Sequence, residues 1–149
     1  MDAIEFPPDL SEFLKLLSSH DVEYLLVGGY AVGLHGHPRT TGDMDIWVRP
    51  TPENAAKLTS VFIAFGYSRQ SIKQDVFLNP NKVIRLGVPP VCIDVITSIS
   101  GVDFENCYQR RIKYELPEVT VSLISGEDLR ENKRASGRPK DIDDLSNLD

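Results

Sequence analysis

An apolar run, Tyr24-Leu25-Leu26-Val27, ends at the pair Gly28-Gly29, and a second, Ile46-Trp47-Val48, is opened by Asp43-Met44-Asp45. No other feature limits the fold so tightly. Four apolar residues bounded by turn formers read as a buried strand, and glycines directly behind it let the backbone turn close to a ligand. The two aspartates head the next strand, where residues two apart point to one face, roughly 7 Å from each other. Two carboxylates on one face, next to a glycine turn, suit a divalent cation carrying phosphates.

The rest of the chain reads as helices and strands in alternation. Leu10, Phe13, Leu14, Leu16 and Leu17 recur at helical intervals over residues 9–19, and Pro7-Pro8 suit the start of that helix. A short helix is expected over 29–36, a loop over 37–42 and a strand over 43–48. Thr51 and Pro52 have the chemistry of an N-cap and a first helical residue, and Gly66 that of a helix stop. Short strands are expected at 75–78, 83–87 and 91–96, with a turn at Asn79-Pro80-Asn81 and Pro89-Pro90 between the last two. Residues 102–108 read as a short helix or turn. Residues 114–116 and 119–123 read as a hairpin about Pro117-Glu118, 126–135 as a helix capped by Ser125, and 141–148 as a closing helical turn or two. Short strand-to-strand links need antiparallel pairs. The expected fold class is therefore α/β or α+β, a mixed β-sheet flanked by helices, as one domain over residues 1–149.

Composition narrows the function classes. With 41% hydrophobic and 26% charged residues the chain has the make-up of a globular protein. No apolar run approaches the roughly 20 residues that span a bilayer, and the first ten residues lack a signal-peptide pattern, so no membrane association and a cytoplasmic location are expected. Cys92 and Cys107 have no CxxC partner and are expected to be free thiols. A net charge of -6 argues against an extensive nucleic-acid surface. Arg130, Lys133, Arg134, Arg138 and Lys140 nevertheless cluster just before Asp141-Ile142-Asp143-Asp144. That cluster reads either as solvated helix faces, which composition favours, or as a phosphate-binding edge. His35 and His37 read as loop residues, Trp47 as core, and Arg110, Arg111 and Lys113 as a solvated edge. No G-x-S-x-G elbow occurs, which weighs against a hydrolase triad.

A third acid completes the chemistry. Asp94 lies within Val91-Cys92-Ile93-Asp94-Val95-Ile96, where an unpaired ionised carboxylate would be costly to bury. Either it sits at a strand end or pairs with an arginine, or it joins Asp43 and Asp45 in a metal cage. Oxygen-only ligands select Mg²⁺ or Mn²⁺ over zinc. Three carboxylates with a supply of Arg and Lys can build a two-metal phosphoryl-transfer site.

The ordered set Leu26-Val27-Gly28-Gly29, Arg39-Thr40-Thr41-Gly42-Asp43-Met44-Asp45-Ile46 and Asp94 resembles the polymerase-β-type nucleotidyltransferase superfamily. The likeness is to its small prokaryotic members, including minimal nucleotidyltransferases and nucleotidyltransferase-like toxins of toxin–antitoxin systems. The tail, with Lys133, Arg138 and Lys140-Asp141-Ile142-Asp143-Asp144, is similar to the K…R…KD..D ending of that group. The resemblance implies a nucleotidyltransferase-like fold and transfer of a nucleoside monophosphate from an NTP, such as ATP, to a hydroxyl on a protein, an RNA or a small molecule, with release of pyrophosphate. It implies Asp43, Asp45 and Asp94 as catalytic metal ligands, and Gly28, Gly29, Arg39, Thr41 and Lys133 as nucleotide-binding residues. Gly29 stands where the group often has serine. The chain also holds no counterpart of the large helical domain with which many relatives hold an acceptor, so a partner protein or a second copy is expected to complete that side. The competing reading is a non-catalytic nucleotide-binding or regulatory module, one component of a toxin–antitoxin pair.

Overall fold

The computed structural model describes residues 6–36 and 42–148. It is a mixed α/β structure: helices α1 (Pro8–Ser19), α2 (Gly28–Leu34), α3 (Pro52–Phe65), α4 (Phe104–Gln109), α5 (Gly126–Ser136) and α6 (Pro139–Leu148) flank one sheet. The strands are β1 (Tyr24–Val27), β2 (Asp43–Val48), β3 (Val83–Val88), β4 (Val91–Ile96), β5 (Ile112–Glu115) and β6 (Thr120–Leu123), in the order β3-β4-β2-β1-β6-β5. β2 pairs parallel with β4 and β1 parallel with β6, while the β1–β2, β3–β4 and β5–β6 pairs are antiparallel. Among the described residues no helix is long and apolar enough to cross a membrane.

Burial follows the two-residue alternation in β2. Met44, Ile46 and Val48 are fully buried on one face, and Trp47 on the other lies edge-on against Phe104 of α4, ring centroids 5.1 Å apart. Asp43 and Asp45 therefore share the α4 face of the sheet. α1 meets α3 through Phe13, which contacts Phe62 and Phe65. Buried Asn54 ties α3 to the sheet: its side chain accepts from Glu23 N at 2.8 Å and donates to Glu23 O and Arg49 O. That fixes where β1 begins against where β2 ends. Both cysteines are free and buried, and burial together with Asp128 pushes the Cys107 thiol up to about 12.

One local expectation is corrected. Residues 75–78 are not a strand but lie within a 3₁₀ helix, Gln74–Leu78. Among its side chains Phe77 is the one buried, and Thr59 of α3 donates to Gln74 Oε1 at 3.2 Å, so a single apolar anchor and a helix contact decide the conformation. Arg110 is exposed, as an edge residue would be, and its Nε and Nη2 also grip Asp128 at 3.0 and 2.8 Å. In the tail the charges part company: Arg134, Arg138 and Lys140 are exposed, whereas Lys133, Asp141 and Asp144 are buried. Gly137, at φ +65°, turns the chain between α5 and α6. That turn brings Lys133 Nζ within 3.0 Å of Asp141 Oδ1 and 3.1 Å of Asp144 Oδ2, all three residues being buried. Asp141 also accepts from Ser136 Oγ and Arg138 Nε, each at 2.7 Å.

Burial alone would raise the Asp141 pKa, but hydrogen bonds from Arg138, Ser136 and Lys133 outweigh it and hold the carboxyl well below its usual range. Its contribution to stability is thus complete above the unfolded pKa, near 3.8, and is lost as pH falls below it. Lys133→Met removes the buried cation that Asp141 and Asp144 share. It is expected to lower the unfolding free energy by about 3–5 kcal/mol at neutral pH, read from urea denaturation.

Candidate functional site

The register across the sheet builds the site. Val27 of β1 faces Asp45 of β2, Asp45 faces Asp94 of β4, and Asp94 faces Arg85 of β3. Residues paired across strands point the same way, so these side chains form one row over the α4 face, with Asp43 one pleat further along β2. The three aspartates named from sequence are thus brought together on adjacent strands.

Arg85, which the sequence reading passed over, binds two of them. Its Nε donates to Asp94 Oδ1 at 2.8 Å, and its Nη2 to Asp94 Oδ2 at 2.9 Å and to Asp43 Oδ2 at 3.1 Å. The guanidinium is half exposed on an edge strand, whereas the Asp94 side chain is 12% exposed. Asp45 lies on the far side of Asp94 from this cation. Burial first, then the charges of Asp94 and Asp43, push its carboxyl up to about 6, while Lys140 and Lys133 pull it down. The α5–α6 corner therefore sits close enough to the carboxylate row for its charges to be felt there. Lys133 itself is held by Asp141 and Asp144, so it reaches Asp45 as a field. Lys140 and the half-exposed Arg138 present their charge at the surface of that corner.

Gly28 is required by the same geometry. It has φ +73°, and a Cβ there would lie 2.2 Å from Asp45 Oδ2. Gly28 thus clears the space that the Asp45 carboxylate occupies, and α2 begins with it. His35 closes α2: its Nε2 donates to Ile124 O at 2.8 Å, fastening the helix to the β6–α5 junction. Arg39, Thr41 and His37 lie outside the described residues.

The donor set around Asp45 consists of carboxylate oxygens, which suit a hard divalent ion. No group of three or more His, Cys, Asp or Glu side chains among the described residues stands as a ready metal-ligating cluster, and Arg85 occupies the position between Asp43 and Asp94. The residues nonetheless fit such an ion electrostatically: three carboxylates face one bridging guanidinium, and after burial the charges of Asp94 and Asp43 help to raise the Asp45 pKa. No protein-family model matches the chain, and no curated protein does.

Two predictions come from this row. A carboxyl raised from 3.8 to about 6 costs stability as pH climbs through that interval, because the folded state then holds the proton more tightly than the unfolded one. In chelator-treated buffer at pH 7, Asp45→Asn is expected to stabilise the fold by about 1–3 kcal/mol. It should also flatten the dependence of the melting midpoint on pH between about 4 and 6. Gly28→Ala is expected to cost about 1–2 kcal/mol from its left-handed backbone. It should also drive the Asp45 carboxylate out of the row, visible by NMR as a carboxyl titration moving back toward the ordinary aspartate range.

Proposed function

We propose that this chain is a metal-dependent nucleotidyltransferase of the polymerase-β type, moving a nucleoside monophosphate from an NTP to a hydroxyl acceptor. The observation that carries the reading is the convergence of Asp43, Asp45 and Asp94 on one sheet face, with the Asp45 carboxylate lodged in the notch left by Gly28. The sequence likeness to that superfamily supports it, as does the positive charge that Lys140 and Arg138 exert toward Asp45.

Asp43 and Asp45 would hold Mg²⁺ or Mn²⁺, and Asp94 would share a second ion. Bound there, the metal supplies charge neutralisation for the triphosphate and for the oxygens that attack and leave. The chain's own groups do the rest. The carboxylate row fixes where the α-phosphorus sits relative to the sheet. Arg138 and Lys140 offset charge that builds on the departing pyrophosphate. Once released by Arg85, Asp94, acceptor-only when ionised, would take the proton of the incoming hydroxyl as its oxygen bonds to the α-phosphorus and the bond to pyrophosphate breaks. The acceptor side would be completed by a partner protein or by a second copy.

One observation favours the second reading, a nucleotide-binding or regulatory module without turnover, as in one half of a toxin–antitoxin pair. Arg85 already neutralises Asp43 and Asp94 in part, as a purely structural counter-ion would. Thermal unfolding in Mg²⁺ with non-hydrolysable NTP analogues tests the shared nucleotide site. Ligand at a hundred times its Kd is expected to raise the midpoint by roughly 5–10 °C. Asp45→Ala is expected to abolish that rise while leaving the protein folded. Transfer of label from an α-labelled NTP then separates the readings: wild type should release pyrophosphate and Asp43→Ala should not. No midpoint shift with any analogue would remove the nucleotide site from both readings.

A further inference from the structure

We infer that Arg85 is an exchangeable counter-ion that clamps Asp43 and Asp94 until metal and triphosphate arrive together, and then hands its guanidinium to the phosphates. The inference rests on the nucleotidyl-transfer reading and adds to it a residue that couples the two ligands.

The placement of Arg85 carries it. Asp94 is nearly buried between Asp45 on one side and Arg85 on the other, and its position is fixed by pairing with both neighbouring strands. Arg85 stands on β3, the edge strand of the sheet, with its side chain 51% exposed. The acid cannot leave, and the guanidinium can swing outward without opening the core. Its three donor contacts use a planar fork that matches carboxylate and phosphate oxygens equally well, so the N–H groups that satisfy Asp94 can satisfy a phosphate instead.

The consequence is a coupling between ligands. A divalent ion arriving alone must compete with the guanidinium for Asp43 and Asp94 and leaves that cation without an anion. A triphosphate arriving with the ion provides one. Metal affinity should therefore be suppressed in the free protein and released by nucleotide. Removing the guanidinium should tighten metal binding, whereas damage to the site would loosen it. The sign of the change separates the two.

The test is titration of Mn²⁺ by electron paramagnetic resonance against the full chain, with and without a non-hydrolysable NTP analogue, for wild type, Arg85→Met and Arg85→Lys. Without nucleotide, Arg85→Met is expected to bind Mn²⁺ about tenfold more tightly than wild type, with Arg85→Lys in between, since an ammonium cannot span both carboxylates. The analogue should improve Mn²⁺ affinity in wild type about tenfold more than in Arg85→Met. Should Arg85→Met fail to fold, Arg85→Lys carries the test with the same sign. Equal or weaker Mn²⁺ binding in the variants, or equal improvement by the analogue, overturns the counter-ion role while leaving the metal site in place. An absence of Mn²⁺ binding by every protein, even with the analogue, overturns the nucleotidyl-transfer reading and this inference with it.

Discussion

The parallel pairing of β2 with β4 sets Asp45 directly beside Asp94, and most of what surrounds that pair answers the repulsion between them. A sheet brings facing side chains within about 5 Å, a distance at which two ionised carboxylates in partly dry surroundings oppose each other strongly. One cation approaches from the open edge, Arg85 on β3. Others approach from the opposite flank, at the corner between α5 and α6. Burial of Asp45, and after it the charges of Asp94 and Asp43, outweigh these cations, so its proton is held unusually tightly. A structure that gathers like charge and neutralises only part of it favours the arrival of further positive charge from solution.

The two sources of positive charge are built differently. Arg85 is half exposed and grips its acids from a strand edge. Lys133 is buried and shared between two aspartates of α6, an arrangement in which charge is fixed in place. The fixed pair ties α5 to α6 at the corner that carries Arg138 and Lys140. The exposed arginine is free to change partners. Fixed charge on one flank and exposed charge on the other would suit the proposed nucleotide site.

Local spacing made much of this legible. The D-x-D declares a shared face because strand alternation is a property of neighbouring residues, and the glycine pair after β1 announces a close approach that proves to be with Asp45. Asp94 could be suspected because a carboxylate amid Val91, Cys92, Ile93 and Val95 calls for a partner. That the partner is Arg85 depends on the β3–β4 register, which the sequence did not carry. The 75–78 segment was misread because Val76, Phe77 and Leu78 have strand composition, while a single contact through Gln74 and one buried ring decides it. α6 inverts the usual rule: Asp141 and Asp144 point inward and Ile142 is 60% exposed. Charge patterning alone could not reveal that, because it depends on where Lys133 lies in space.

The way α6 is attached has a thermal consequence. Its fully buried contacts among the described side chains are ionic rather than apolar, and burial of apolar surface is what gives folding its large heat-capacity change. Docking of α6 should therefore contribute little to that change. Cooling, which weakens contacts of the kind that hold α1 on α3, should leave the α5–α6 corner closed. The end of the chain that carries the basic surface would then keep its geometry at temperatures where the aromatic layer between α1 and α3 begins to loosen.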